Sequence, residues 1–452
     1  NVNSSAGGLS PRPREALRVV YNSLPKNSHS SPFMAPPALA ALATFAAALP
    51  SAGGLHMTRR TSLERACSET ADVDFSDFVR KHQRTYKDEE YSLRAGLFSK
   101  AKEAVRRHNC ETERPLWVAS VNHLADWTDA ELESLKGLKL SRRSSSDDAS
   151  TMRMPRAAST EDLPDTISYR NLSTIRDGRN QGHCGSCWAF AAETAMRARA
   201  ELKGLPHKFA VGQIVACAPN PHECGGKGGC KGATAELAYE YALQAGLAQE
   251  DDAGRLEVGY PIGGGQPECP SDMAMSGSEG ESSEVSTTAD GHEQHVAGAM
   301  AASLRNGRNT GMVGWTKLPE NRMEPIIRAL MDSGPLTVSV AASRWWHYYE
   351  EGIMTGADCD ENNVIGHAVV LFGIGKEDVE GTGQVKYWHL KNSWGSAWGE
   401  DGTIRIEMTA NEEEQCGWDH KPGSGSGCVG GPEKVWVCGS CAILYNSAMP
   451  LF

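Results

Sequence analysis

The sequence predicts an α+β fold in two subdomains, preceded by a helical region of its own. Three observations predict it. Helical patterns fill residues 73–135 and the first half of the region from 163 to 452. Runs of strand character fill the second half of that region. A stretch without periodicity, 136–162, separates the two blocks. Helices first and strands later point to segregated α+β rather than alternating α/β.

The chain has 452 residues, room for two or three domains. It has no run of 18 apolar residues, so no transmembrane helix is expected. Net charge is −12, from 45 basic and 57 acidic side chains, which argues against nucleic acid as an obligate partner. Thirteen cysteines, an odd count, suggest a disulfide framework with one thiol left over, and such frameworks are rare in the cytosol. Met34 opens MAPPALAALATFAAALPSAGG, an apolar stretch ending in small residues. Residues 34–54 therefore read as a signal peptide that lacks the usual basic start, and 1–33 as leader or extension. A lysosome, a vacuole or the outside of the cell is the expected destination.

In the first block, Phe75 and Phe78 start an apolar face. Glu90, Arg94, Phe98, Ala101, Val105 and Asn109 then recur at steps of three and four, which puts all six on one face of one helix. Asn122-His-Leu-Ala-Asp126 follows. Residues 136–162 are rich in Ser, Arg and Asp, the composition of a linker open to proteolysis. Beyond it, WAFAAETAMRARAELKG from Trp188 and AELAYEYALQAG from Ala235 read as helices. LTVSV from Leu336, HAVVLFGI from His367, KYWHL from Lys386 and TIRI from Thr403 read as strands. The Ser/Gly/Glu-rich stretch from Pro270 to about Gly291 reads as an exposed insertion.

The chemistry concentrates in Gln181-Gly-His-Cys-Gly-Ser-Cys187-Trp-Ala-Phe190. Cys-x-x-Cys alone fits a redox pair, half a zinc site, or a disulfide cysteine beside a nucleophile. Cys438-Gly-Ser-Cys441 repeats the spacing and keeps zinc in play. A helix beginning at Cys187, however, sets that thiol at a helix N-terminus, where the dipole favours thiolate. A thiolate nucleophile needs a base and a group to orient it. His367 in Ile-Gly-His-Ala-Val-Val and Asn392 in Leu-Lys-Asn-Ser-Trp-Gly are the candidates. A lone histidine entering a strand is ordinarily a core residue. The unusual Asn-Ser-Trp-Gly pattern downstream favours a functional reading here.

QGHCGSCWAF, GHAVVLFGIG and KNSWGSAWGEDG resemble, in order, the three active-site blocks of the papain-like cysteine peptidases, the cathepsin L-like branch above all. The Glu90-to-Asn109 face resembles the ERFNIN helix of that family's inhibitory propeptide, departing at Ala101 and Val105. Asn122-x-Leu-Ala-Asp126 resembles the propeptide's second motif. The resemblance implies a papain-like fold, with a helical subdomain and a β-barrel-like subdomain at 163–452, preceded by a helical propeptide at 73–135. It implies a cysteine endopeptidase made as a zymogen, which cuts protein and peptide substrates through a thioester acyl-enzyme. Cys187 would be the nucleophile, His367 its ion-paired base, Asn392 the orienter and Gln181 an oxyanion donor together with the Cys187 N–H. Trp394 would shield the His–Asn contact. The propeptide would lie through the cleft as an intramolecular inhibitor and be removed at 136–162, with acid acting through carboxylates such as Asp126. No cofactor, no metal and a monomer are expected.

Several features depart from the family pattern. His367 stands further from Cys187 than the roughly 130–150 residues usual for the family, so surface insertions are required. Cys230-Lys-Gly232-Ala233 replaces Cys-Asn-Gly-Gly on the non-primed side of the cleft, and the Ala233 methyl would crowd it. Gly366, beside the specificity pocket, would leave room for a bulky apolar side chain. By resemblance Cys184 pairs with Cys230 and Cys217 with Cys269. Cys359 has Cys416, Cys438 and Cys441 as competing partners. Asn171-Leu-Ser173 is a glycosylation sequon. Two other readings stand beside the peptidase: a catalytically silent binding protein on the same fold, and a zinc or thiol-redox protein using both Cys-x-x-Cys pairs.

Overall fold

A computed structural model describes residues 53–113, 115–137, 163–205, 207–250, 268–269, 284–287, 293–296, 310–379 and 381–452. Residues 1–33, nearly all of the signal-peptide stretch, and 138–162 of the linker lie outside the described residues.

The first block is built of helices α1 (Gly53–Asp72), α2 (Phe75–Lys81) and α3 (Asp88–Glu111), strand β1 (Trp117–Ala119) and helix α4 (Asp129–Leu135). The Asp74 carboxylate caps α2 by accepting from the Ser76 N–H. On α3 the face read from spacing is the buried one except at its start: Arg94, Phe98, Ala101, Val105 and Asn109 are buried, while Glu90 is exposed. Phe75 and Phe78 pack on Phe98. A Cys67–Cys110 disulfide ties α1 to α3. Composition did not mark α1, which carries no amphipathic stripe. Asn109 grips β1 at both ends of one residue: its amide donates to the Ala119 carbonyl at 2.8 Å and its oxygen accepts from the Ala119 N–H at 2.9 Å. Thr128 and Glu131 form a capping box at α4, and Glu131 takes a two-pronged bond from Arg94 at 2.5 and 2.8 Å. Thus α3 serves as the beam that holds β1 and α4 in place.

The second block opens with β2 (Ile167–Ser168), α5 (Ser173–Arg176), α6 (Cys187–Leu202), α7 (Val211–Cys217) and α8 (Ala235–Ala245). Nearly every residue of α6 from Cys187 to Ala200 is buried, as expected of a helix apolar on all sides. Its one buried acid, Glu193, is bonded by Arg179 at 3.1 Å and by the Phe209 N–H at 3.3 Å.

The strands follow: β3 (Glu284–Thr287), β4 (Glu293–Val296) and β5 (Gly314–Lys317), then helix α9 (Met323–Ser333). Next come β6 (Leu336–Val340), β7 (Tyr349–Met354), β8 (His367–Val379), β9 (Gly383–Lys391) and β10 (Thr403–Glu407). The last are β11 (Gly417–Asp419), β12 (Val435–Val437) and β13 (Ser447–Leu451). One large sheet has the order β1-β7-β10-β9-β8-β6-β13-β5-β4-β3, with β2 beside β8; β11 and β12 form a separate ribbon. The four strand runs read from sequence became β6, β8, β9 and β10. The stretch expected to be only an exposed insertion contributes β3, which pairs with β4 and extends the sheet past β5.

The first block joins this sheet directly. β1 pairs antiparallel with β7, Trp117 opposite Gly352. Trp117 is 1% exposed, and its indole N–H donates to the Asp358 carboxylate at 2.9 Å. Among the described residues no helix is long and apolar enough to cross a membrane.

Candidate active site

Cys187 is the first residue of α6, and His367 the first of β8. The two elements pack together, so the sulfur and the imidazole line one pocket. The N–H of Ala368, next to the histidine, bonds the Cys187 sulfur. The His367 Nε2 lies 2.8 Å from the Asn392 Oδ1. Its Nδ1 has no hydrogen-bond partner. The Asn392 oxygen also accepts from the Ser393 N–H at 2.8 Å, which fixes the amide. The Trp394 ring stands 4.9 Å from that of His367 and is itself buried. Burial and this spacing put Trp394 where it covers His367.

Gln181 is buried. Its carbonyl oxygen accepts from the Ser393 hydroxyl at 2.6 Å, and its amide donates to the Cys184 carbonyl at 2.8 Å and the Leu135 carbonyl at 2.9 Å. Leu135 belongs to α4, so the first block enters the pocket. Gly137 goes further. A methyl on it would come 3.1 Å from the Cys187 sulfur and 2.7 Å from the Gly185 carbonyl. Gly232, at φ +90°, faces the Gly137 carbonyl so closely that a methyl there would overlap it. The cleft-filling segment therefore includes residues 136 and 137, which composition assigned to the linker. Ala233 and Gly366 line the same pocket.

Contacts outside the cleft hold the first block in place. The Asn122 amide donates to the His347 carbonyl at 2.7 Å, the Ser120 hydroxyl to Glu350 at 2.5 Å, and Trp127 stacks on His183 at 3.9 Å.

Burial dominates the electrostatics. It pushes the Cys187 thiol up to about 11 and the His367 imidazole down to about 4, the latter despite the Asn392 bond and helped by nearby Lys136. With the cleft filled, thiol and imidazole are both neutral. The helix N-terminus alone does not make a thiolate here, because the filled cleft excludes the water that would solvate it. Burial also raises the Asp126 carboxyl, and Tyr86 donates to it. Protonation of Asp126 thus favours the packed state, the reverse of the expected acid trigger. Glu131 differs: burial works against its charge, but bonds from Arg94 and Thr128 hold it at about 2.

All thirteen cysteines are described. Twelve form Cys67–Cys110, Cys184–Cys230, Cys217–Cys269, Cys224–Cys428, Cys359–Cys441 and Cys416–Cys438. Cys187 is free. Cys184, Cys438 and Cys441 are each bridged to a cysteine outside their own Cys-x-x-Cys, against a shared zinc or redox site. Asn171 is exposed ahead of α5.

A model described as papain family cysteine protease matches residues 163–425, and one described as cathepsin propeptide inhibitor domain (I29) matches 75–132. The chain belongs to the papain family of cysteine proteases. Mouse cathepsin K is 28% identical over 358 residues, 77% of this chain and 91% of that protein. Cathepsin L of Sarcophaga peregrina is 26% identical over 347 residues, 75% of this chain and 87% of that one. The solved structure of digestive procathepsin L 3 of Tenebrio molitor superposes with a TM-score of 0.57 at 20% identity, over 83% of this chain and 97% of that one. A stem bromelain precursor gives 0.55 at 22% identity, over 84% and 97%. This papain-family chain is a cysteine endopeptidase in zymogen form, with its own propeptide as intramolecular inhibitor.

Proposed function

We propose that Cys187, His367, Asn392 and Gln181 perform the peptidase chemistry. The observation that carries this reading is the convergence at one pocket: the chain's free thiol, at the start of α6, shares it with an imidazole held at 2.8 Å by Asn392. Once the plug leaves and water enters, the proton moves from the Cys187 sulfur to His367. The thiolate attacks the substrate carbonyl, and the oxyanion takes the Gln181 amide hydrogen now given to Leu135. His367 hands its proton to the leaving amine as the C–N bond breaks, leaving a thioester. Water then attacks, His367 accepts its proton, and the C–S bond breaks to free the acid. A neutral amide is enough at Asn392, since it only orients a cationic ring.

The substrates are proteins and peptides, and the working form is a monomer in a lysosome, a vacuole or outside the cell. Six disulfides suit an oxidising route to any of these. Removal of the propeptide occurs within 136–162, by the enzyme itself. Acidified precursor is expected to yield a fragment starting near 155–163. If Cys187→Ser precursor is cut at the same rate without added protease, self-processing is wrong.

A further inference from the structure

A segment near the C-terminus reaches across the active-site pocket. Between β11 and β12, residues 420–434 leave the strand-rich half and meet the loop that follows α7. Cys428 bonds Cys224 there, across a sequence separation of 204. The Gly225 N–H donates to the Gly427 carbonyl at 2.8 Å, and the Val429 N–H to the His222 carbonyl at 2.9 Å. The approach is close enough that a methyl on Gly225, which has φ +65°, would sit 2.8 Å from the Gly425 carbonyl.

Both feet of this segment are fixed. β11 and β12 pair, and the Cys416–Cys438 bridge lies at their open end. The buried Asp419 carboxylate accepts from the Lys421 N–H at 2.7 Å and from the Ile365 N–H at 3.3 Å, two residues before His367. Gly425 and Ser426 thereby become a wall of the pocket that also holds Cys187, Ala233, Gly366 and His367. The Ser426 hydroxyl is buried there without a hydrogen-bond partner.

We propose that residues 420–434 form a disulfide-latched strap that closes the specificity pocket on the acyl side of the scissile bond and restricts it to small side chains. Gly425 and Ser426 take up room that Gly366 leaves in this pocket, and Ala233 adds a methyl to the same lining. The Ser426 hydroxyl is placed to bond a polar atom of the substrate in that pocket. The strap also couples the two subdomains through one covalent bond, so opening the pocket means breaking Cys224–Cys428 rather than moving a side chain. The inference rests on the assignment of Cys187 and His367 as the reacting pair.

The test uses acid-processed enzyme and peptides that differ only at the second residue before the cleaved bond, valine against phenylalanine. The native strap is expected to favour valine by about tenfold in kcat/KM, the scale on which pockets discriminate side-chain size. The Cys224→Ser/Cys428→Ser enzyme is expected to bring that ratio near one. A second variant keeps the latch: Ser426→Trp is expected to lower kcat/KM for the valine peptide about tenfold. Iodoacetamide alkylation of Cys187 keeps the strap separate from the catalytic assignment. A fast-reacting thiol with an unchanged valine-to-phenylalanine ratio in the unlatched enzyme, or an unaffected valine peptide with Ser426→Trp, overturns the strap alone.

Discussion

The Leu135 backbone carbonyl accepts the Gln181 side-chain amide at 2.9 Å, so the inhibitory segment occupies the donor that the proposed oxyanion would use. Gln181 is held for this by Ser393, which donates to its carbonyl oxygen. The same amide thus binds the inhibitor before processing and the reacting carbonyl afterwards. Gln181→Ala is expected to lower kcat of the processed enzyme by ~10²–10³, about 3–4 kcal/mol of transition-state stabilisation, with a smaller change in KM. It is also expected to weaken inhibition by added propeptide. Steady-state kinetics on one preparation read both; an unchanged kcat would remove Gln181 from the chemistry.

The filled cleft sets the reactivity of the thiol. Burial holds Cys187 at about 11 in the precursor, so the thiol stays protonated at every pH below that. Solvation of the open cleft and pairing with His367 lower it after processing. Iodoacetamide alkylation of the precursor is therefore expected to rise only toward pH 11, while the processed enzyme reacts at pH 6. Equal rates at pH 6 would show that the plug does not control the ionisation.

Acid release is expected to run through histidines of the propeptide rather than Asp126. Burial lowers both His82 and His123 to about 4; Lys81 and Arg84 add to the effect at His82, and His82 and Arg84 at His123. The rings are 6.4 Å apart, and His82 Nε2 and His123 Nδ1 have no hydrogen-bond partner. Above pH 6.5 neither packed nor released histidine binds a proton, and the stabilisation is whole. Between 6.5 and about 4 the released form takes up protons that the packed form refuses, so stability falls as pH falls. Glu131 adds its own loss only further down, from the ordinary glutamate range toward about 2. A His82→Asn/His123→Asn precursor is expected to process more slowly than the parent at pH 5, with a deficit at least as large at pH 3, where the destabilisation from histidine protonation is complete. Gel-based time courses at the two pH values check it.

The chemistry was legible because it sits in contiguous words. Cys187, His367 and Asn392 each lie in a local pattern of turn, glycine and tryptophan residues, and the fold brings the three patterns to one pocket. The buried face of α3 was legible for the same reason, since a helical repeat is local. What was not legible depends on distant partners. Nothing around Cys224 or Cys428 announces that they meet, because the bond needs the strap to cross the pocket. β1 is three residues long and counts as a strand only because β7 offers it an edge. Residues 136 and 137 looked like linker by composition, yet residue 137 is placed by close backbone approaches to a distant part of the chain, which composition does not record.

Gly137 gives the sharpest test of that last contact. Its backbone passes between the Cys187 sulfur, the Gly185 carbonyl and Gly232, and a methyl on it would meet the carbonyl at 2.7 Å and the sulfur at 3.1 Å. The carbonyl belongs to a loop held by the Cys184–Cys230 bridge, so it has little room to yield. Crowding a fixed site of this kind typically costs about 1–3 kcal/mol. Gly137→Ala is therefore expected to loosen the propeptide and bring Cys187 alkylation forward by about 5- to 150-fold at pH 7, while leaving the processed enzyme, which has lost residue 137, as active as the parent. Alkylation no faster than in the parent precursor would mean that the backbone does not pass the sulfur as closely as the structure has it.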